Sequence, residues 1–364
     1  MKNRKSIIML FLFAVCLMSM QAQEKINDTT ACCNTKSCFE CCRPDAFAPA
    51  GVMTDHVHPK GEFGIAYGFM FTNSHGNMSG TNSVSDNDIY YNKGYMMAPG
   101  NMQMQMHMLM PMYGITNRLT AMAMINYYVN KMDMHMMPAQ NMMHMSDNTN
   151  MNNTNSSLGF GDTKFYLLYN LLGNCQHRLV AGAGISLPTG SISVKGPTVL
   201  SYEGVLPYSM QLGTGTYNLL PSLVYVGQSR YITFGAALNT NIKTGINSRN
   251  YCLGNEYSFS PWLAYKIHSW ASLSVRAEYY RQEKITGYDA ELNQLSGNDP
   301  SSNVSNYGAQ QRISAFAGIN VYAPAKCLKG IRLFIEYGLP IYQTMEGLQM
   351  PFKSSLSARL QCNF

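Results

Sequence analysis

From Glu62 onward, apolar residues alternate with small or polar ones at a period of two, the pattern of strands whose two faces meet different surroundings. In the first such stretch Phe63, Ile65, Tyr67, Phe69 and Phe71 share one face, and Gly64, Ala66, Gly68 and Met70 share the other. Near the other end of the chain Leu356, Ala358, Leu360, Cys362 and Phe364 alternate with Ser357, Arg359, Gln361 and Asn363. Twelve segments read this way: 62–72, 101–113, 118–132, 159–172, 177–188, 216–227, 230–244, 251–267, 269–284, 309–323, 330–343 and 352–364. At about ten residues or more, they have the length of tilted strands that cross a bilayer, and they exceed the five or six residues usual in soluble sheets.

The connections between segments alternate in length. Stretches 73–100, 133–158, 189–215, 245–250, 284–308 and 344–351 are long, whereas 114–117, 173–176, 228–229, 268 and 324–329 are short. Tight turns at one end and long loops at the other are what an outer-membrane barrel shows, and a soluble sandwich has no reason to sort its loops so. Phe364 adds the terminal aromatic residue common in such barrels. The fold expected is an all-β, antiparallel transmembrane barrel of about twelve strands over residues 59–364, in the outer membrane of a Gram-negative cell and surrounded by its lipid.

Composition sharpens this picture. Only 13% of the 364 residues are charged, about half of the ~25% usual in soluble domains. Beyond the first 22 residues no apolar run reaches the ~18 residues of a membrane helix. No basic stripe offers itself to nucleic acid. Lys2, Arg4 and Lys5 precede the apolar run Ile7 to Met18, and Met20-Gln21-Ala22 ends in a small residue, so 1–22 reads as a secretory signal. Residues 23–58 then form a Cys-rich periplasmic segment ahead of the barrel.

Several motifs resemble a bacterial family of outer-membrane transporters filed under the MetA pathway of phenol degradation. They are the stretch from Gly51 through Asp55-His56-Val57-His58-Pro59 to Glu62, then Leu158-Gly159-Phe160-Gly161-Asp162, Leu187-Pro188-Thr189-Gly190-Ser191, the stretch from Leu206 to Gly215, and the stretch from Glu336 to Gln343. The resemblance covers Gly51 to Phe364 and implies a barrel with a small-solute or transport role. Residues 23–50 lie outside it.

Candidate chemistry centres on sulfur. Twenty of the 28 methionines fall between Met70 and Met151. Met102, Met104, Met106, Met108, Met110 and Met112 occupy every second position of the second strand and so share one face. The alternation rule favours turning this ladder to lipid, with Gln103, Gln105 and His107 in the lumen; the alternative puts it in the lumen, where thioethers would hold Cu(I) or Ag(I). In the third strand the apolar face Leu119, Ala121, Ala123, Ile125 sends Met122 and Met124 inward. The outside loop that follows is expected to carry Met132, Met134, His135, Met136, Met142, Met143, His144 and Met145, a soft-ligand set whose bland alternative is drift in an Asn-rich loop.

Cys32, Cys33, Cys38, Cys41 and Cys42 crowd into eleven residues. In an oxidising compartment disulfide chemistry and thiolate metal capture compete there. His56 and His58 could chelate or serve as polar anchors. Neither a Gly-Xaa-Ser-Xaa-Gly elbow nor a His-Glu-Xaa-Xaa-His pair is present, so no enzyme is expected. The function expected is a channel for small solutes, with copper or another soft metal ion handled by the Met, His and Cys clusters. The alternatives are transport of small aromatic or apolar compounds, and metal sequestration at the surface without translocation.

Overall fold

A computed structural model of the chain describes residues 43–138, 153–174, 176–198, 201, 203–323 and 330–364. Among these residues twelve long strands follow one another as a meander. They are β1 (Phe63–His75), β2 (Met97–Thr116), β3 (Leu119–Met136), β4 (Asn153–Phe160 continued by Thr163–Gly173), β5 (His177–Leu187) and β6 (Tyr217–Leu219 continued by Ser222–Gln228). The second half comprises β7 (Ile232–Thr244), β8 (Glu256–Lys266), β9 (Ala271–Gln282), β10 (Gln310–Tyr322), β11 (Arg332–Gln349) and β12 (Phe352–Asn363). Each pairs antiparallel with its sequence neighbours, and β1 also pairs with β12, from Gly64 opposite Asn363 to Ser74 opposite Phe352. The sheet therefore closes, and closure removes the unpaired edges that lipid cannot satisfy. No helix among the described residues is long and apolar enough to cross a membrane. The protein is an outer-membrane barrel of a Gram-negative cell, as the alternation of the sequence implied.

Exposed side chains mark the lipid face. Leu167, Leu171, Leu238, Leu263, Leu273, Val275 and Leu339 project outward, with Tyr231, Tyr265 and Trp270 exposed at the end that carries the short turns. This is the aromatic girdle expected where strands meet the membrane surface. The inward positions alternate with these and are buried: Ser314, Phe316 and Asn320 on β10, and Ser355, Ser357, Arg359 and Gln361 on β12.

Three strands run past the limits expected from periodicity. β2, β3 and β11 hold 20, 18 and 18 residues, well beyond the ~11 a tilted strand needs to cross the bilayer. Met132, Met134 and Met136 therefore lie in β3 and not in a loop. In contrast, β8 begins later than expected, because Tyr251–Cys252 leaves the barrel and pairs with Thr286–Gly287 in the outer loops. Those loops pack on one another: Val205, Tyr208, Tyr251, Ile285 and the α1 residues (Ala290–Leu295) Leu292 and Leu295 form a buried cluster of their own.

Three of the family-like motifs, 158–162, 187–191 and 206–215, converge on one carboxylate. β4 is interrupted at Gly161-Asp162, and the Asp162 side chain accepts from the N–H of Gly190 (2.9 Å), the N–H of Thr214 (2.9 Å) and the Thr214 hydroxyl (2.7 Å). Thr189 donates its hydroxyl to the Gly161 carbonyl at 2.9 Å, and Asn126 of β3 donates to the Asp162 carbonyl at 3.2 Å. Glycine is required at two of these positions by contact, since a Cβ on Gly190 would stand 2.7 Å from the Gly213 Cα, and one on Gly213 would stand 2.4 Å from the Gly190 carbonyl. Replacing Asp162 by Ala should cost about 3 kcal/mol, because it strands backbone donors away from water. Urea unfolding followed by tryptophan fluorescence should show the lower midpoint, and Asp162→Asn should fall between the two.

Candidate functional site

At the short-turn end the lumen is filled by the chain itself. Ala48 and Val52 pack against the inward-facing Val224, Val226, Ala237 and Trp262, and Phe47 and Ala50 pack against Phe334. Three arginines of the wall grip the backbone of this segment. Arg332 donates to the Arg43 carbonyl (2.7 Å), Arg178 to Ala46 (3.3 Å), and Arg359 to Val52 (2.7 Å) and Ala48 (3.0 Å). Glu336 accepts from the Gly51 N–H at 3.0 Å. Residues 43–58 are thus a plug inside the barrel, whereas the sequence suggested a periplasmic segment outside it. The five cysteines Cys32, Cys33, Cys38, Cys41 and Cys42, like the expected leader 1–22, lie outside the described residues.

The plug's histidines are tied to neighbouring carboxylates. His56 Nδ1 meets Asp55 Oδ1 at 2.9 Å, its Nε2 lies 2.9 Å from the Gln361 amide, and its ring tilts over Phe47 with centroids 4.3 Å apart. His58 Nδ1 meets Glu62 Oε1 at 2.9 Å, and the ring fits a slot over Gly64, where a Cβ would come within 2.6 Å of it. The two rings meet edge to face, 5.1 Å apart. His56 and His58 thus anchor the plug, and no group of three His, Cys, Asp or Glu among the described residues is placed to hold a metal ion.

The methionine ladder faces the lumen, not lipid. Register decides it: Gly64, Ala66, Gly68, Met70 and Thr72 of β1 stand opposite Met112, Met110, Met108, Met106 and Met104, and Met112 stands opposite Met122 of β3. Small residues on β1 make the room, since a Cβ on Gly68 would meet the Met108 methyl at 2.8 Å. Met108, Met110, Met112, Met122 and Met124 are buried with Ala66 in one cluster, against which Met53 of the plug, Met70 and Met106 pack. Met122 and Met124 point inward, as their strand's periodicity implied. His107, by contrast, is on the outer face, held by the Tyr67 hydroxyl at 2.7 Å and flanked by Phe69.

The upper end of β3 divides its expected ligands between two faces. Met132 and Met134 are buried inward with Met97, Leu206 and Met210, and Met102 and Met136 pack beside them. His135 stands on the opposite face, with Nδ1 2.8 Å from Asp86. The anticipated set of loop ligands is therefore not one site; Met142, Met143, His144 and Met145 lie outside the described residues.

Across the lumen the wall is ionic. Arg276 forks onto Glu336 at 2.9 and 3.1 Å and reaches Glu278 at 2.7 Å, while Arg312 meets Glu278 at 3.2 Å and lies over the rings of Phe352 and Tyr280. A cavity of about 540 Å³ lies between the two walls. Met70, Met104, Met106 and Met108 with Tyr128 and Tyr166 form one side, and Glu256, Arg276, Glu278, Arg312 and Arg359 form the other. The Nε of Arg312 is buried with no acceptor among the described residues. Sequence reasoning passed over these charges, although Arg276 and Glu278 share one face with Ser272 and Ser274, opposite Leu273, Val275 and Ala277, and so had to point away from lipid. A second cavity of about 620 Å³ opens on the lipid side, where the exposed Phe63, Tyr113, Phe165, Leu167 and Ile185 dominate its lining.

The family described as "Putative MetA-pathway of phenol degradation" matches residues 72–309, well over half of the chain. The chain belongs to that family. The MetA-pathway match contains the Asp162 junction, the methionine ladder and, of the ionic wall, Glu256, Arg276 and Glu278. No curated protein matches the chain in sequence. Among solved structures, an outer membrane channel from Pseudomonas putida F1 superposes with a TM-score of 0.55 at 12% identity, over 85% of this chain and 98% of that one. The toluene transporter TbuX of Ralstonia pickettii gives a TM-score of 0.41 at 8% identity, over 88% and 98% of the two chains. The first of these likenesses shows the shared barrel fold and nothing finer.

The plug's Asp55–His56 pair makes its docking sensitive to acid. Burial is the largest influence on His56 and lowers its pKa to about 4 despite the opposing pull of Asp55. Burial pushes the Asp55 carboxyl up, but His56, Arg359 and Arg178 outweigh it and hold the group well below the usual carboxylate range. A depressed histidine favours the docked plug fully above its ordinary pKa of about 6.5, and the advantage drains away as pH falls toward 4. Conductance through the protein in planar bilayers should therefore rise as pH is lowered from 6.5 to 4. A variant lacking residues 43–58 should conduct more at pH 7 and lose that pH dependence.

Proposed function

We propose that the barrel carries small aromatic solutes bearing a phenolic or carboxylate oxygen across the outer membrane, acting as a conduit and not as an enzyme. The observation that carries this reading is the two-sided cavity. Thioethers and tyrosines offer an adaptable apolar face, and sulfur makes favourable contacts at ring edges. Facing them, Arg312 offers a buried donor with no acceptor, which suits an anionic oxygen held by charge-assisted hydrogen bonds. The family's association with phenol degradation agrees with a ring that carries oxygen. A cavity of this size, closed below by the plug, fits a solute bound singly on its way through and not a wide aqueous pore.

Proteoliposomes loaded with the protein should take up 4-hydroxybenzoate at pH 7.5 faster than arabinose. Arg312→Ala should lower 4-hydroxybenzoate uptake about tenfold, the size of one charged hydrogen bond, and Arg312→Lys should restore part of it. Equal rates for the sugar and the aromatic acid, unmoved by either substitution, would show a general pore instead.

A further inference from the structure

The thioether wall is larger than an apolar solute requires. Met106, Met108, Met110, Met112, Met122 and Met124 present their side chains to one cluster, and the plug adds Met53 while β1 adds Met70. A Leu wall would bury as much apolar surface and lose less side-chain freedom on ordering, since Met is among the costliest residues to fix and Leu among the cheaper apolar ones. A selection of methionine at so many contacting positions therefore points to the sulfur itself. Thioethers are soft, neutral donors with a preference for soft monovalent ions such as Cu(I) and Ag(I), and they need shed no proton to bind.

The ladder's geometry extends that chemistry across the membrane. Successive inward methionines lie about 7 Å apart along β2, and the run from Met102 to Met112 covers about 33 Å of strand, or roughly 25 Å of bilayer at the usual tilt. At its upper end Met102 packs beside the second buried cluster, which contains Met97, Met132, Met134 and Met210. At its lower end Met53 meets it from the plug. The thioether face is thus continuous from the outer loops to the plug. Its ionic neighbours are largely neutralised among themselves, because Arg276 and Arg312 are paired with Glu336 and Glu278.

We infer that the β1–β3 wall is a binding track for a soft monovalent metal ion, held by the thioethers of Met106, Met108, Met110, Met122 and Met124 with Met53 closing the site from the plug. The inference shares Met106 and Met108 with the solute cavity but does not depend on Arg312, so either can fail without the other.

Silver(I) is the probe, because it binds thioethers without redox chemistry. The full chain in detergent, with accessible thiols blocked by N-ethylmaleimide, is titrated with silver nitrate, and the parent is compared with the variant carrying Leu at Met106, Met108, Met110, Met122 and Met124. Leucine keeps apolar bulk. The parent should bind silver at least tenfold more tightly, and the difference should be unchanged between pH 5.5 and 7.5, as a donor set without protons requires. Should the fivefold variant fail to fold, the parent labelled at the methionine methyl carbons serves instead. Signals assigned by single Leu substitutions to Met108, Met110 and Met122 should shift on adding silver. Equal affinity in parent and variant, an affinity difference that follows histidine or carboxylate titration, or silver shifts confined to methionines outside this wall would overturn the assignment.

Discussion

The structure depends on the seam between β1 and β12. There the Phe364 N–H donates to the Phe63 carbonyl at 2.8 Å, the Phe63 N–H donates to the Phe364 carbonyl at 3.2 Å, and the register above them runs without a slip to Asn73. Closing the sheet in this register satisfies the main chain without water, and it also fixes which side of every strand is inside. A slip of one residue at the seam would exchange the faces of β1 and turn Phe63, Ile65 and Tyr67 into the lumen. With Gly64, Ala66 and Gly68 inward, the neighbouring strand can fill the space with the long side chains of its methionines. The seam, the small face of β1 and the thioether wall are one consequence of a single pairing.

The arginines of the lumen follow a related logic. Arg178, Arg332 and Arg359 are buried, and buried charge is tolerated only where hydrogen bonds replace water. The plug supplies them from its backbone carbonyls, which remain available because residues 43–58 adopt no helix or strand that would use them. Wall and plug are therefore complementary in a strict sense: an extended, irregular segment is stable inside the barrel because the barrel provides donors, and the donors are stable because the segment is irregular.

The strands were legible because period two and alternating loop lengths are imposed by the membrane on every segment alike. Met122 and Met124 were legible for the same reason, since Leu119, Ala121 and Ile125 leave no doubt about their strand's greasy side. The ladder on β2 was not, because methionine is apolar enough for lipid, and the polar Gln103, Gln105 and His107 on the other face read as lumenal. The decisive signal lay on the strand before it, in the row of Gly64, Ala66 and Gly68 that needs large neighbours. His107 was misplaced along with the ladder. The plug escaped notice because residues 43–58 have no periodicity, and only their contacts with distant arginines reveal where they go. Met132, Met134 and His135 seemed one cluster by proximity in sequence, but a strand sends adjacent residues to opposite sides.

The pinch at Asp162 has a meaning beyond its strength. The backbones of Gly190 and Gly213 touch there, and Leu212 and Gly213 both donate to the Ser191 carbonyl, at 3.0 and 3.1 Å. The long excursion between them is tied off at its neck like the handle of a cup. Its tip can lengthen, shorten or change sequence with little effect on β5 and β6, because loop length enters the entropy only logarithmically once the ends are fixed. Relatives of this barrel are free to dress the same frame with different outer surfaces, and an epitope or affinity tag spliced into the handle ahead of Val205, Leu206, Tyr208 and Met210, which pack inward, would ride on the cell surface without disturbing the lumen beneath it.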